Sequence, residues 1–100
     1  MAKREKVPGI FIHTHRKSGS FYVGTSADVY RGVVEDQRRL LKGEHFNTEL
    51  QRLYDEDSLI DSVVEVCESL PAAKARRTEI AAEGFSNPLM LNKSGGLNVT

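Results

Sequence analysis

Residues 8 to 16 alternate strictly: Ile10, Ile12 and Thr14 fall on one side, Phe11, His13 and His15 on the other. That two-residue period predicts a strand. Residues 20 to 24 repeat the β-forming composition after the polar turn Lys17-Ser18-Gly19-Ser20, so the two segments read as a β-hairpin. From Thr25 the period becomes helical. Thr25 and Asp28 have the spacing of a capping box. Val29, Val33, Leu40 and Leu41 form an apolar stripe that runs to Lys42, and Gly43 stops it. Asn47 is suited to cap a short second helix with Leu50 and Leu53 turned inward and Asp55-Glu56-Asp57 at its end. Residues 58 to 68 carry Leu59, Ile60, Val63, Val64 and Val66, a β-branched run that predicts a central strand. Ser69 and Pro71 announce a third helix, which reaches about Glu83 with Ala72, Ala75, Ile80 and Ala81 as inward positions, before Gly84.

The order β-β-α-α-β-α predicts an α/β (α+β) sandwich, a small three-stranded antiparallel sheet flanked by helices. One hundred residues suffice for one compact domain. It is expected over residues 8–92, between a basic arm at 1–7 and a flexible tail at 93–100 that contains Ser94-Gly95-Gly96.

Composition narrows the class without choosing a function. No apolar run approaches the roughly 20 residues of a membrane span, so no membrane partner is expected. The start, Met1 to Pro8, is basic but lacks the apolar stretch of a secretory signal. Cys67 stands alone, with no second cysteine for a disulfide or a zinc pair, and reads as a small buried hydrophobe. A reducing, cytoplasmic (or nucleoid-associated) location is expected. Fourteen basic residues cancel fourteen acidic ones. Nucleic-acid binders are usually basic, because phosphate contacts supply most of their non-specific affinity. The basic residues nevertheless cluster, at Lys3, Arg4 and Lys6, at Arg16 and Lys17, at Arg38, Arg39 and Lys42, and at Lys74, Arg76 and Arg77. A positive face can hide in a neutral total; the plainer reading is solvated surface charge.

Several spaced motifs stand in register. Gly9-Ile10-Phe11 opens the first strand and Tyr22-Val23-Gly24 closes the second. A small polar pair, Thr25-Ser26, and a helix follow. Gly43, His45, Asn47, Leu50 and Gln51 form a spaced loop motif; Val63 to Glu68 is a strand with an acidic end; Glu79, Asn87-Pro88 and Asn92 follow. In this combination, over residues 8–92, the chain resembles the GIY-YIG nuclease family. Each piece alone is weak; the specificity lies in their shared order and spacing.

The resemblance implies a metal-dependent DNA endonuclease. Cutting a phosphodiester requires an activated water, counter-charge for the phosphorane and help for the leaving oxygen. Family enzymes use one divalent ion on a lone glutamate, and Mg2+ (or Mn2+) keeps enough of its own waters to need few carboxylates. Glu79 matches that ligand, its distance to Asn87-Pro88 favouring it over the competing Glu83 one turn later; its plain alternative is a helix-surface charge paired with Arg76 or Arg77. Tyr22 matches the residue that activates water, against an ordinary cross-strand aromatic beside Phe11 and Phe21. His45 is expected to contact phosphate or relay a proton, and Asn92 to anchor the site, their plain readings being polar surface and a turn asparagine. Gln51 and Asn47 are expected to fix the loop. Nucleic-acid contacts are expected from His13, Arg38, Arg39, Lys42, Arg76 and Arg77, although for His13 and His15 a structural role is preferred.

Two departures bear on activity. Phe11 replaces the family's first tyrosine, which leaves proton shuttling to Tyr22. The family's arginine, eight residues after the glycine of the second motif, is Gly32 here, with Arg31 one residue earlier as the candidate substitute for holding phosphate charge and Arg38 or Arg39 as further compensating candidates. The rival reading is a catalytically weakened or inactive domain of this type that binds DNA or a protein partner. No separate DNA-reading motif is visible, so target choice would fall to loops, a homo-oligomer, or an additional domain or partner.

Overall fold

The computed structural model describes residues 5–84 and 87–91. Its elements are β1 (Gly9–His15), β2 (Phe21–Ser26), α1 (Val29–Lys42), α2 (Thr48–Glu56), β3 (Ile60–Val66) and α3 (Leu70–Gly84). The strands form one antiparallel sheet in the order β2-β1-β3. This is the expected α+β class and element order. The β-branched strand is not central, however. β1 takes the middle and β3 an edge, where Val63 and Val66 are more than half exposed. Its apolar run indicated a strand without indicating its neighbours.

The alternation along β1 divides two cores. Phe11 and Tyr22 pack with Val29, Leu40, Leu50 and Leu53, so α1 and α2 cover one face. Ile10 and Val23 pack with Ala73 and Ala81 of α3 on the other. Cys67 is half-buried against this second core. The buried positions correct the expected stripes in two places: Leu41 is 73% exposed, and Ala73, not Ala75, is the buried alanine of the first α3 turns.

Local signals account for the helix ends. The capping-box spacing fails: α1 starts at Val29 with Asp28 as its N-cap, and Asp28 gives no side-chain cap bond. Ser26 organises the turn instead. Its Oγ accepts the Asp28 N–H at 3.1 Å and donates to the Asp28 carbonyl at 2.8 Å. Gly43, at φ 75°, terminates α1 as expected. The Asn47 side chain accepts the Leu50 N–H at 3.0 Å and caps α2, while its Nδ2 donates to the Leu91 carbonyl at 3.1 Å. Leu91 in turn donates its N–H to the Phe21 carbonyl, so residues 87–91 are tied to both β2 and the α2 cap. Among the described residues no helix is long and apolar enough to cross a membrane.

Candidate functional site

A cleft of about 390 Å3 opens where the two strand motifs meet α1 and α3. Phe11 and Tyr22 contribute from the sheet, Gly32, Glu35, Asp36 and Arg39 from α1, Phe46 from the loop before α2, and Arg77 from α3. The α1 residues are spaced i, i+3, i+4 and i+7, which places them on one helical face. The aromatic motif residues therefore share a concavity, as the sequence led us to expect for Tyr22.

Both glycines of the cleft are filled space. A Cβ on Gly24 would clash with the outer edge of the Phe11 ring, and one on Gly32 would lie 2.7 Å from the Ser26 Cβ. The position that carries arginine in the family is thus closed by Ser26 and backed by Phe11. Any side chain there must displace Ser26, whose short side chain has little room to yield.

Arg31 does not take over from Gly32. It lies two residues from Val29 and from Val33, roughly 200° around the helix from the inward stripe. Its Nε donates to Glu35 at 2.8 Å, and its side chain is 68% exposed in a separate groove with Tyr30, Val34 and Arg38. The proposed substitution is therefore corrected: Arg39, seven residues after Gly32 and on its face, is the arginine that α1 gives to the cleft. Arg38 faces the other groove, and Lys42 is exposed at the end of α1.

Glu79 is also displaced from its expected place. On α3 the inward positions are Ala73 and Ala81, and Arg77 lies four residues from each, on the same face. Glu79 is two residues further, again roughly 200° away. Its carboxylate accepts from Arg76 at 3.2 Å and is 66% exposed; Arg76 also donates to Glu65 at 2.9 Å. This is the surface ion-pair alternative. Arg77 occupies the cleft in its stead, and its buried Nε has no hydrogen-bond partner among the described residues.

Behind Tyr22 lies a polar network that the motifs did not disclose. Asp36 is 3% exposed, and its Oδ2 accepts from His13 Nε2 at 2.9 Å and His45 Nε2 at 2.7 Å. Arg39 approaches the other carboxylate oxygen at 3.4 Å. His45 Nδ1 accepts the Asn47 backbone N–H at 2.9 Å, which assigns its ring proton to Nε2, facing Asp36. Burial alone would raise the Asp36 carboxyl; the two histidine donors outweigh it and hold the group at about 2. Gln51 completes the frame, accepting the His45 N–H at 3.0 Å and donating to the Leu40 carbonyl at 3.0 Å. Asn47 and Gln51 thus fix the loop, as read from the sequence.

The histidines are positioned for structure more than for contact. His13 is wholly buried, so the expected nucleic-acid contact is corrected to a role beneath the cleft, between Asp36 and Ser62. His15 donates from Nε2 to the Asp57 carbonyl at 2.9 Å and joins β1 to the end of α2. His45 is 6% exposed and meets the Tyr22 ring edge-on at 5.1 Å between centroids. Asn92 lies outside the described residues. Asp36 itself was missed, though Val29, Val33, Asp36 and Leu40 share one helical stripe, and a carboxylate at a core position is a readable signal.

Glu79 is not among the residues that line the cleft, and its carboxylate is paired with Arg76. Asp36 has its oxygens engaged by His13, His45 and Arg39, and Glu35 is paired with Arg31. Among the described residues there is no group of three His, Cys, Asp or Glu side chains set to hold an ion. Compared with known proteins, the chain matches no family model, no curated protein and no solved structure.

Proposed function

We propose that this chain is a GIY-YIG-type domain whose cleft holds the phosphate backbone of DNA without a metal ion and without hydrolysing it. The observation that carries the reading is the exchange of charge at the cleft. Arg77 stands on the face where a metal-binding acid would be needed, and Glu79 is turned away with Arg76. A phosphate oxygen would offer an acceptor to the half-buried Arg77 guanidinium, whose Nε has none among the described residues. Arg39 adds a second positive charge, offset by Asp36, while Glu35 in the same lining is paired with Arg31 outside it. Hydrolysis would instead need a means of activating water and stabilising the phosphorane.

The competing reading is metal-dependent cleavage, favoured by the presence of Tyr22 in the cleft beside His45. Fluorescence anisotropy with labelled DNA in EDTA, with a denaturing gel of the same DNA held in Mg2+, separates the two: strands shortened in Mg2+ support cleavage, and full-length strands support binding alone. The proposed reading expects saturable binding without divalent ions, weakened about tenfold or more by Arg77→Glu and falling with added salt. Binding that requires Mg2+, or is indifferent to Arg77→Glu, overturns it.

A further inference from the structure

Phe46 is a large ring held out of the core. It is 65% exposed and lines the cleft, yet the residues on both sides of it are fixed. His45 is locked by Asp36 and Gln51, and Asn47 is the α2 cap. The ring therefore has little freedom to fold away, although burying it would be favourable. Arg39 lies against it, with its guanidinium carbon 4.6 Å from the ring centroid. A flat ring with a guanidinium over its face, at the mouth of a small cleft that also holds Arg77, has the chemistry of a nucleobase platform.

We infer that an unpaired base stacks on Phe46 beside Arg39 while its phosphate lies against Arg77, so that the cleft selects single-stranded over duplex DNA. This rests on the DNA-binding reading above and adds the substrate class. A volume of about 390 Å3 lies within the roughly 300–1,000 Å3 range of sites for small ligands. It admits a nucleotide and not a duplex. In a duplex each base face is covered by its neighbours, and exposing one costs unstacking and unpairing. A single strand offers that face freely. Stacking does not distinguish sequence, because every base has a π-face, so little sequence preference is expected.

The test uses the full chain in EDTA with a labelled thymidine 15-mer and a duplex of the same length. The wild type should bind the single strand at least tenfold more tightly. Phe46→Ala should lower single-strand affinity about tenfold or more and change duplex affinity by less than about twofold. Phe46→Trp should retain the preference, and Phe46→Leu, which keeps apolar bulk without a flat ring, should lose it. Circular dichroism of each variant confirms that the fold is intact. Equal affinity for both DNAs, or a Phe46→Leu protein that still prefers the single strand, overturns this inference and leaves the DNA-binding reading standing. Absence of binding to either DNA overturns that reading as well.

Discussion

Replacing Asp36 with asparagine should cost about 2–4 kcal/mol of stability at pH 7, and the loss should shrink in acid. Two terms set the size. Asparagine can set its one oxygen where Oδ2 serves both His13 and His45, but its NH2 group then replaces the oxygen that faces Arg39, donor against donor, and is buried without an acceptor. Leaving one buried donor unsatisfied costs about 1–3 kcal/mol. The second term is the charge. Asp36 titrates at about 2 in the fold against 3.8 ordinarily. At about 1.4 kcal/mol per pKa unit, this contributes roughly 2 kcal/mol, and the two terms overlap because both describe the surroundings of one carboxylate. A depressed folded-state pKa stabilises above the unfolded value and is lost as pH falls through the folded one. The Asp36 contribution is therefore complete above pH 5, about half gone near pH 3 and spent below pH 2. Urea unfolding followed by circular dichroism, on both proteins at pH 7 and at pH 3.5, measures the gap. A variant within about 0.5 kcal/mol of the wild type at pH 7, or a gap that does not narrow at pH 3.5, would refute the network's assigned role.

Further predictions follow from the packing and the ion pairs. Gly24→Ala drives a methyl into the Phe11 ring and should destabilise by about 1–3 kcal/mol; shortening Phe11 to leucine in the same chain should recover part of that loss in thermal melts. Asn47→Ala removes the α2 cap and the tie to the Leu91 carbonyl, for about 1–2 kcal/mol in urea unfolding. Arg31→Ala and Glu79→Ala interrupt only exposed ion pairs, so each should stay within about 0.5 kcal/mol of wild-type stability and within twofold in DNA affinity. A large effect of either on binding would restore it to the site.

The fold was legible because its signals are local. Alternation along β1, the Gly43 stop and the Asn47 cap each fix an element from its own residues, and the order of elements follows. The place of β3 in the sheet was not legible, since a β-branched run does not identify its partners. The site was legible where residues are carried by strands. Tyr22 and Phe11 share a face because strand register requires it. On the helices, the order and spacing of motif residues did not fix their direction. Arg31 and Glu79 matched, or nearly matched, family positions in sequence, but both lie about 200° from the inward face. Reading the helical stripe through Ala73, Arg77 and Ala81, and through Val29, Val33 and Asp36, would have exchanged Glu79 for Arg77 and disclosed the buried carboxylate.

The most direct test of metal-independent binding without cleavage follows bound fraction and strand length in the same sample. End-labelled single-stranded DNA is held with excess protein in EDTA, in Mg2+ and in Mn2+, and an aliquot of each is run on a native gel and on a denaturing one. We expect retarded DNA in all three conditions and full-length strands throughout. Shortened strands that appear with either ion and disappear in EDTA, or in a Tyr22→Phe protein, would contradict the account and restore the chain to the nucleases.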